Sequence, residues 1–124
     1  MEPLRLLETA TILFLVSALG GVVMAGMRFS GKPHPPIGLA MLHGLLAAAG
    51  LTLLLYGAVF VGLPSLADGA AVLFVVAAAG GVALNLGYHW KNQPLPKGLM
   101  VGHALVAVLG FLLVTIATWH AARA

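Results

Sequence analysis

Two histidines, His43 and His103, stand sixty residues apart in a chain that repeats itself at that spacing. With Ala10–Leu53 laid on Ala70–Leu113 without a gap, 16 of 44 positions are identical. Phe14 falls on Phe74, Gly20 and Gly21 on Gly80 and Gly81, Pro36 on Pro96, Gly50 on Gly110, and His43 on His103. A bias towards alanine and leucine explains many of the matches, but not a histidine on a histidine. Two imidazoles offered from opposite sides suit a metal that carries its other ligands with it, a haem above all. Competing chemistry is thin. Cysteine is absent, which removes thiolate metal sites, disulfides and cysteine nucleophiles together. The carboxylates Glu2, Glu8 and Asp68 lie at one boundary, away from the histidine layer, so no carboxylate–histidine dyad is expected, and no glycine-rich phosphate loop with a lysine occurs.

The elements that position these histidines follow from composition. Hydrophobic residues make up 61% of the 124-residue chain and charged residues 7%. An ordinary globular chain has about 25% charged residues, and disorder needs still more, so an integral membrane protein is expected. The formal charge of +3 is too scattered for a nucleic-acid stripe, and no nucleic-acid partner is expected. Four apolar segments lie between Glu8 and Arg28, from Ile37 to Leu63, from Gly69 to Tyr88 and from Gly98 to Trp119. Each is close to the ~20 residues that a helix needs to cross the hydrocarbon core. With no water there to satisfy open backbone groups, the segments must be helices. The fold class is therefore all-α: a single transmembrane four-helix bundle over 1–124, made of two tandem hairpins, about 8–63 and about 68–122. An even number of spans keeps the two hairpins in one orientation, related by a pseudo-twofold along the membrane normal.

Charge sets the expected orientation. Arg28 and Lys32 flank the first connector, and Lys91 and Lys97 the third, while only Arg5 and Arg123 lie at the other end. The positive-inside rule puts those two connectors in the cytoplasm and both termini outside, consistent with a bacterial inner membrane. Glu2 and Glu8 argue against a cleavable basic leader. Tyr56, Trp90 and Trp119 read as interfacial anchors, His120 as interfacial, and Met24, Met27, Met41 and Met100 as core packing.

Depth can be counted along the helices. His43 lies seven residues after Pro36, about 10 Å along a helix, and Gly21 lies seven before Arg28. One layer then presents two imidazoles from the second and fourth helices and glycine pairs, Gly20–Gly21 and Gly80–Gly81, from the first and third. Ala47 and Gly50 follow His43 on one face, as Ala107 and Gly110 follow His103, and continue a small-residue lining. These positions are expected to form a haem slot, with His43 and His103 as the iron ligands. Arg28, Lys32, Lys91 and Lys97, with His34, His89 and Trp90, are candidates to meet the propionates. His34 and His89 otherwise read as solvated connector residues, or as contacts for a quinone headgroup. Zinc held by these four histidines is allowed by ligand type, though the spacings fit no recognised site.

Glycines on the first and third helices with ligating histidines on the second and fourth resemble the four-helix core of the cytochrome b family. The motif positions are Gly20, Gly21, His43, Gly80, Gly81 and His103. The resemblance implies haem b, electron transfer, and a quinone or a redox partner, within membrane lipid. It implies one haem rather than two, because that family carries a second histidine fourteen residues on, where this chain has Gly57 and Ala117. Small membrane b-type cytochromes that act on quinones share the layout, so a quinone-linked oxidoreductase or an electron-transfer protein is expected. Two other readings stay open. One is a non-catalytic subunit of a larger membrane complex, using small-residue faces such as Ser17–Gly21 for helix contacts. The other is a small four-helix transporter, which would ordinarily need a charge in mid-span.

Overall fold

The computed structural model describes residues 2–124 and is all-helical, with four long helices and, among the described residues, no strand. Helix α1 spans Pro3–Phe29, α2 spans Ile37–Tyr56 and continues as a π-turn over Gly57–Val61, α3 spans Ser65–Gly87, and α4 spans Lys97–Arg123. A short 3₁₀ turn, His89–Lys91, follows α3. Each of the four is long and apolar enough to cross a membrane.

The helices overrun the apolar segments. α1 starts at Pro3 rather than after Glu8, because proline's missing N–H is no loss in the first turn and Arg5 pairs with Glu8 at 3.4 Å. α3 likewise starts at Ser65 ahead of Gly69, with Asp68 in its first turn where a negative charge suits the helix dipole. α4 runs on to Arg123, whose guanidinium stacks over Trp119 at 3.9 Å. α2 ends in the wider π geometry before Gly62, where φ is +79°. There the chain turns back so closely that a Cβ on Gly57 would lie 2.7 Å from Leu63 Cδ1.

α1 packs against α2 and α3 against α4, and the two hairpins meet along α1–α4 and α2–α3. That leaves α1 opposite α3 and α2 opposite α4. Contacts across the bundle occur on both diagonals: Phe14 stacks on Phe74 at 3.7 Å, and the rings of His43 and His103 stand 6.2 Å apart. The burial pattern of α2 recurs sixty residues later in α4 almost position for position, as two hairpins related by a pseudo-twofold require.

Packing is uneven along the bundle axis. The end that carries the termini has a tight core of Leu7, Ala10, Phe14, Leu54, Ala67, Ala70, Ala71, Phe74, Val114 and Ala117. Gly50 and Gly110 belong to its upper edge, where a Cβ on Gly50 would lie 3.1 Å from the Phe14 ring and one on Gly110 3.3 Å from the Phe74 ring. Beyond this layer the inward positions His43, Leu46, Ala47, His103, Val106 and Ala107 are only half-buried. Met24, Met27 and Met100 are half-buried as well, but Met41 faces outward and does not pack in the core. Tyr56, Trp90 and Trp119 are exposed near helix ends.

Two connectors close the other end together. Leu95 donates its N–H to Pro33 O at 3.0 Å, and Arg28 Nε donates to Leu95 O at 2.9 Å. Leu95, His89 and Pro35 are buried at this end.

Candidate functional site

His43 and His103 are held in the same way. His43 Nδ1 donates to Ser17 O on α1 at 2.8 Å, and His103 Nδ1 donates to Ala77 O on α3 at 2.8 Å. Each acceptor is a helix carbonyl four residues before a glycine, Gly21 or Gly81. A helix carbonyl already serves the N–H four residues on, so a second donor must approach past the side chain at that position. Glycine clears the path. A Cβ on Gly21 would lie 3.1 Å from His43 Cε1, and one on Gly81 would lie 3.3 Å from His103 Cε1. Gly20 and Gly80 are looser, with their nearest histidine atoms at 3.9 and 3.6 Å. The glycine pairs therefore accommodate the imidazole of their own hairpin before they line anything between the hairpins.

The two halves differ in one detail. Ser17 Oγ donates to the backbone carbonyl of His43 at 3.0 Å and stands 3.0 Å from Nδ1, while the equivalent residue on α3 is Ala77. His43 is thus clamped by its ring and its backbone, and His103 by its ring alone.

With Nδ1 donating to a carbonyl, the neutral ring presents the lone pair of Nε2. Neither Nε2 makes a hydrogen bond, and neither is sealed: the one buried side-chain polar atom without a partner among the described residues is Asn85 Oδ1. The His43 and His103 rings are inclined at 71° with centres 6.2 Å apart. Two imidazoles trans on one metal have ring centres about 6 Å apart, given a metal–nitrogen bond of about 2.0–2.1 Å. The separation of the ring centres is close to that value.

No protein-family model, curated protein or solved structure matches this chain. The reading of the site therefore rests on its geometry. Among the described residues no three His, Cys, Asp or Glu side chains come together to hold a bare ion. The four histidines that ligand type allows for zinc form two separate pairs, His43 with His103 and His34 with His89. A pair of imidazoles is one axial set that a protein can offer a haem, whose porphyrin supplies the remaining ligands.

Other expected site residues fall in different places. Ala47 and Ala107 stay half-buried on the histidine faces. Gly50 and Gly110 do not line free space between the histidines, because the stacked Phe14–Phe74 pair fills the space over them. Of the cations, Arg28 is tied through Nε to Leu95 O, Lys97 stands 5.4 Å over the Phe29 ring, Lys91 is exposed, and Lys32 lines a cavity at the connector end. His89 is not a solvated connector residue, being 6% exposed, and its ring lies 5.0 Å from that of His34.

Sequence reasoning missed two residues. Ser17 carried a signal only as a small residue in a packing pattern, though a hydroxyl that faces His43 from the neighbouring helix is a ready clamp. Asn85, one turn beyond Gly81, is a polar residue in the run ALNLG, and that alone singles it out in a membrane helix.

Proposed function

We propose that this protein is a small membrane b-type cytochrome that holds one haem between His43 and His103 and relays electrons to or from a quinone or a redox partner. The observation that carries the reading is the paired ring geometry: two Nδ1–H groups fixed on helix carbonyls, two free Nε2 atoms, and ring centres 6.2 Å apart. When bound, haem supplies one-electron chemistry, its potential set by the axial ligands and the polarity around them. The carbonyls of Ser17 and Ala77 fix the imidazole tautomers and increase their basicity as ligands. Ser17 Oγ adds a second hold on His43. The Phe14–Phe74 stack closes the bundle core on the side of the termini, which keeps water from that direction out of the histidine layer. At the connector end Arg28, Lys32, Lys91 and Lys97 bring positive charge with no carboxylate among them, which favours propionates there. The same charges support placing this end in the cytoplasm of a cell whose inner membrane houses the protein.

The test is the visible spectrum of protein made with haem supplied and purified in detergent. A Soret band with a sharp α band after dithionite reduction is the expected result. Protein that stays colourless with added haemin would overturn the reading.

A specific observation favours the second reading, a structural subunit of a larger membrane complex. The Nδ1–carbonyl bonds already join α1 to α2 and α3 to α4, so the histidines have a packing role without any cofactor. In that case His43→Ala and His103→Ala would weaken the hairpins and leave no optical trace.

A further inference from the structure

The connector end holds an open pocket of about 650 Å³, separate from the His43–His103 pair. Lys32, His34, Ile37, His89, Trp90 and Asn92 line it, with Pro35 and Pro36. Its polar side chains are predominantly donors, and no carboxylate borders it. The nearest acidic residues in the spans, Glu8 and Asp68, belong to the opposite end of the bundle.

His89 is the decisive residue. It is 94% buried, counted from its 6% exposure, and among the described residues its ring has no hydrogen-bond partner. Its nitrogens are not sealed, since Asn85 Oδ1 is the one sealed unpartnered atom among the described residues. A buried imidazole that faces a cavity and has no protein partner is satisfied by what enters the cavity. The His34 ring stands 5.0 Å away, with its Nδ1 only 3.4 Å from Pro35 O. The first turn of α2 opens at the same place. Leu39 and Ala40 donate to Pro36 O, which leaves the amides of Ile37 and Gly38 without a backbone acceptor. A helix N-terminus with free amides favours an anion.

From these features we infer that the cavity binds a phosphate-bearing anion. Lys32 contributes the full charge, His89 and His34 contribute ring N–H donors, and the α2 terminus contributes backbone donors. The exposed faces of Trp90 and Ile37 give the cavity an apolar flank at the level where a membrane-spanning helix begins, which suits an anionic phospholipid headgroup with its chains in the bilayer. Free phosphate offers the same oxygen chemistry. The inference does not depend on haem and applies equally to a colourless protein.

The test uses the full chain in detergent with Trp119→Phe, so that Trp90 is its single tryptophan, excited selectively at the red edge. Dihexanoyl phosphatidylglycerol, dihexanoyl phosphatidylcholine and inorganic phosphate are titrated separately. A saturable change with phosphatidylglycerol is expected, weakened roughly tenfold by Lys32→Gln through loss of one charged hydrogen bond. His89→Gln should weaken it too, and Arg5→Gln, at the opposite end of the bundle, should leave it unchanged. If inorganic phosphate alone gives the same saturation, the anion site stands and its source is free phosphate. Equal responses to phosphatidylcholine, or binding unaffected by both Lys32→Gln and His89→Gln, would overturn the inference. So would anion binding that disappears when haem is loaded, since the cavity would then be the propionate seat.

Discussion

Replacing Gly21 with alanine probes how the histidines are held. The new Cβ would lie 3.1 Å from His43 Cε1 and 3.5 Å from Nδ1. Carbon atoms pack best at about 3.5–4.0 Å, so the ring must withdraw by roughly half an ångström. Its bond to Ser17 O, now 2.8 Å, would then stretch towards the limit of a useful hydrogen bond, about 3.2 Å. Interhelical hydrogen bonds in membranes contribute about 0.6 kcal/mol on average and up to about 1.7. Alanine itself favours the helix by about 0.8–1.0 kcal/mol over glycine. Gly26→Ala, with nothing within 4 Å of its new Cβ, should show the whole of that gain. Gly21→Ala should fall short of it by about 0.6–1.7 kcal/mol, a shortfall equal to the hydrogen bond it strains. Gly81→Ala, where the contact is 3.3 Å, should fall between the two. Unfolding in mixed micelles followed by circular dichroism gives the ranking, and imidazole ¹⁵N NMR reports the His43 Nδ1 environment directly. Equal gains for all three variants, with an unmoved His43 signal, would refute the idea that these glycines exist to admit the rings.

Phe14→Ala should destabilise the bundle by about 3–5 kcal/mol, and the double variant with Phe74→Ala should lose less than the sum by about 0.5–1.5 kcal/mol, measured by the same unfolding assay. Ser17→Ala removes the hydroxyl but leaves the backbone acceptor, so it should cost at most about 1.7 kcal/mol and make the His43 ring signal resemble that of His103. Arg28→Met frees Leu95 O, and hydrogen exchange at the Leu95 amide, now bonded to Pro33 O, should accelerate while the amides of α1 near Phe14 keep their protection. Single cysteines at Lys32 and at Arg123 should react from opposite sides of the membrane. Labelling of both from one side would refute the four-span topology.

Much of the architecture was legible because membrane burial leaves few choices. Apolar runs of sufficient length must be helices, and matched residues at sixty-residue spacing must share a depth in two parallel hairpins. His43 therefore points to His103, and Phe14 to Phe74, from the repeat alone. What each pair does across the bundle was less accessible. Gly50 follows His43 on one helix face, yet it serves Phe14, because the partner ring arrives from α1 at a height that periodicity along α2 does not specify. The hydrogen bonds from Nδ1 to Ser17 O and Ala77 O depend on the axial register between helices, to within an ångström. His89 is buried at the end where the first and third connectors pair through Leu95 and Pro33, a long-range contact with no local signature. Helix ends overran the apolar runs because charged side chains such as Arg5 and Arg123 can reach water from a helix that extends past the hydrocarbon.

The most direct measurement of the central claim is a haemin titration of the purified chain, read as spin state and stoichiometry, for the native protein and for His43→Ala and His103→Ala. Ligation by both imidazoles predicts one low-spin, six-coordinate haem per chain, and a five-coordinate or weakly bound haem in either variant. A titration with no saturation at one equivalent, or variants that keep the low-spin spectrum of the native protein, would contradict it.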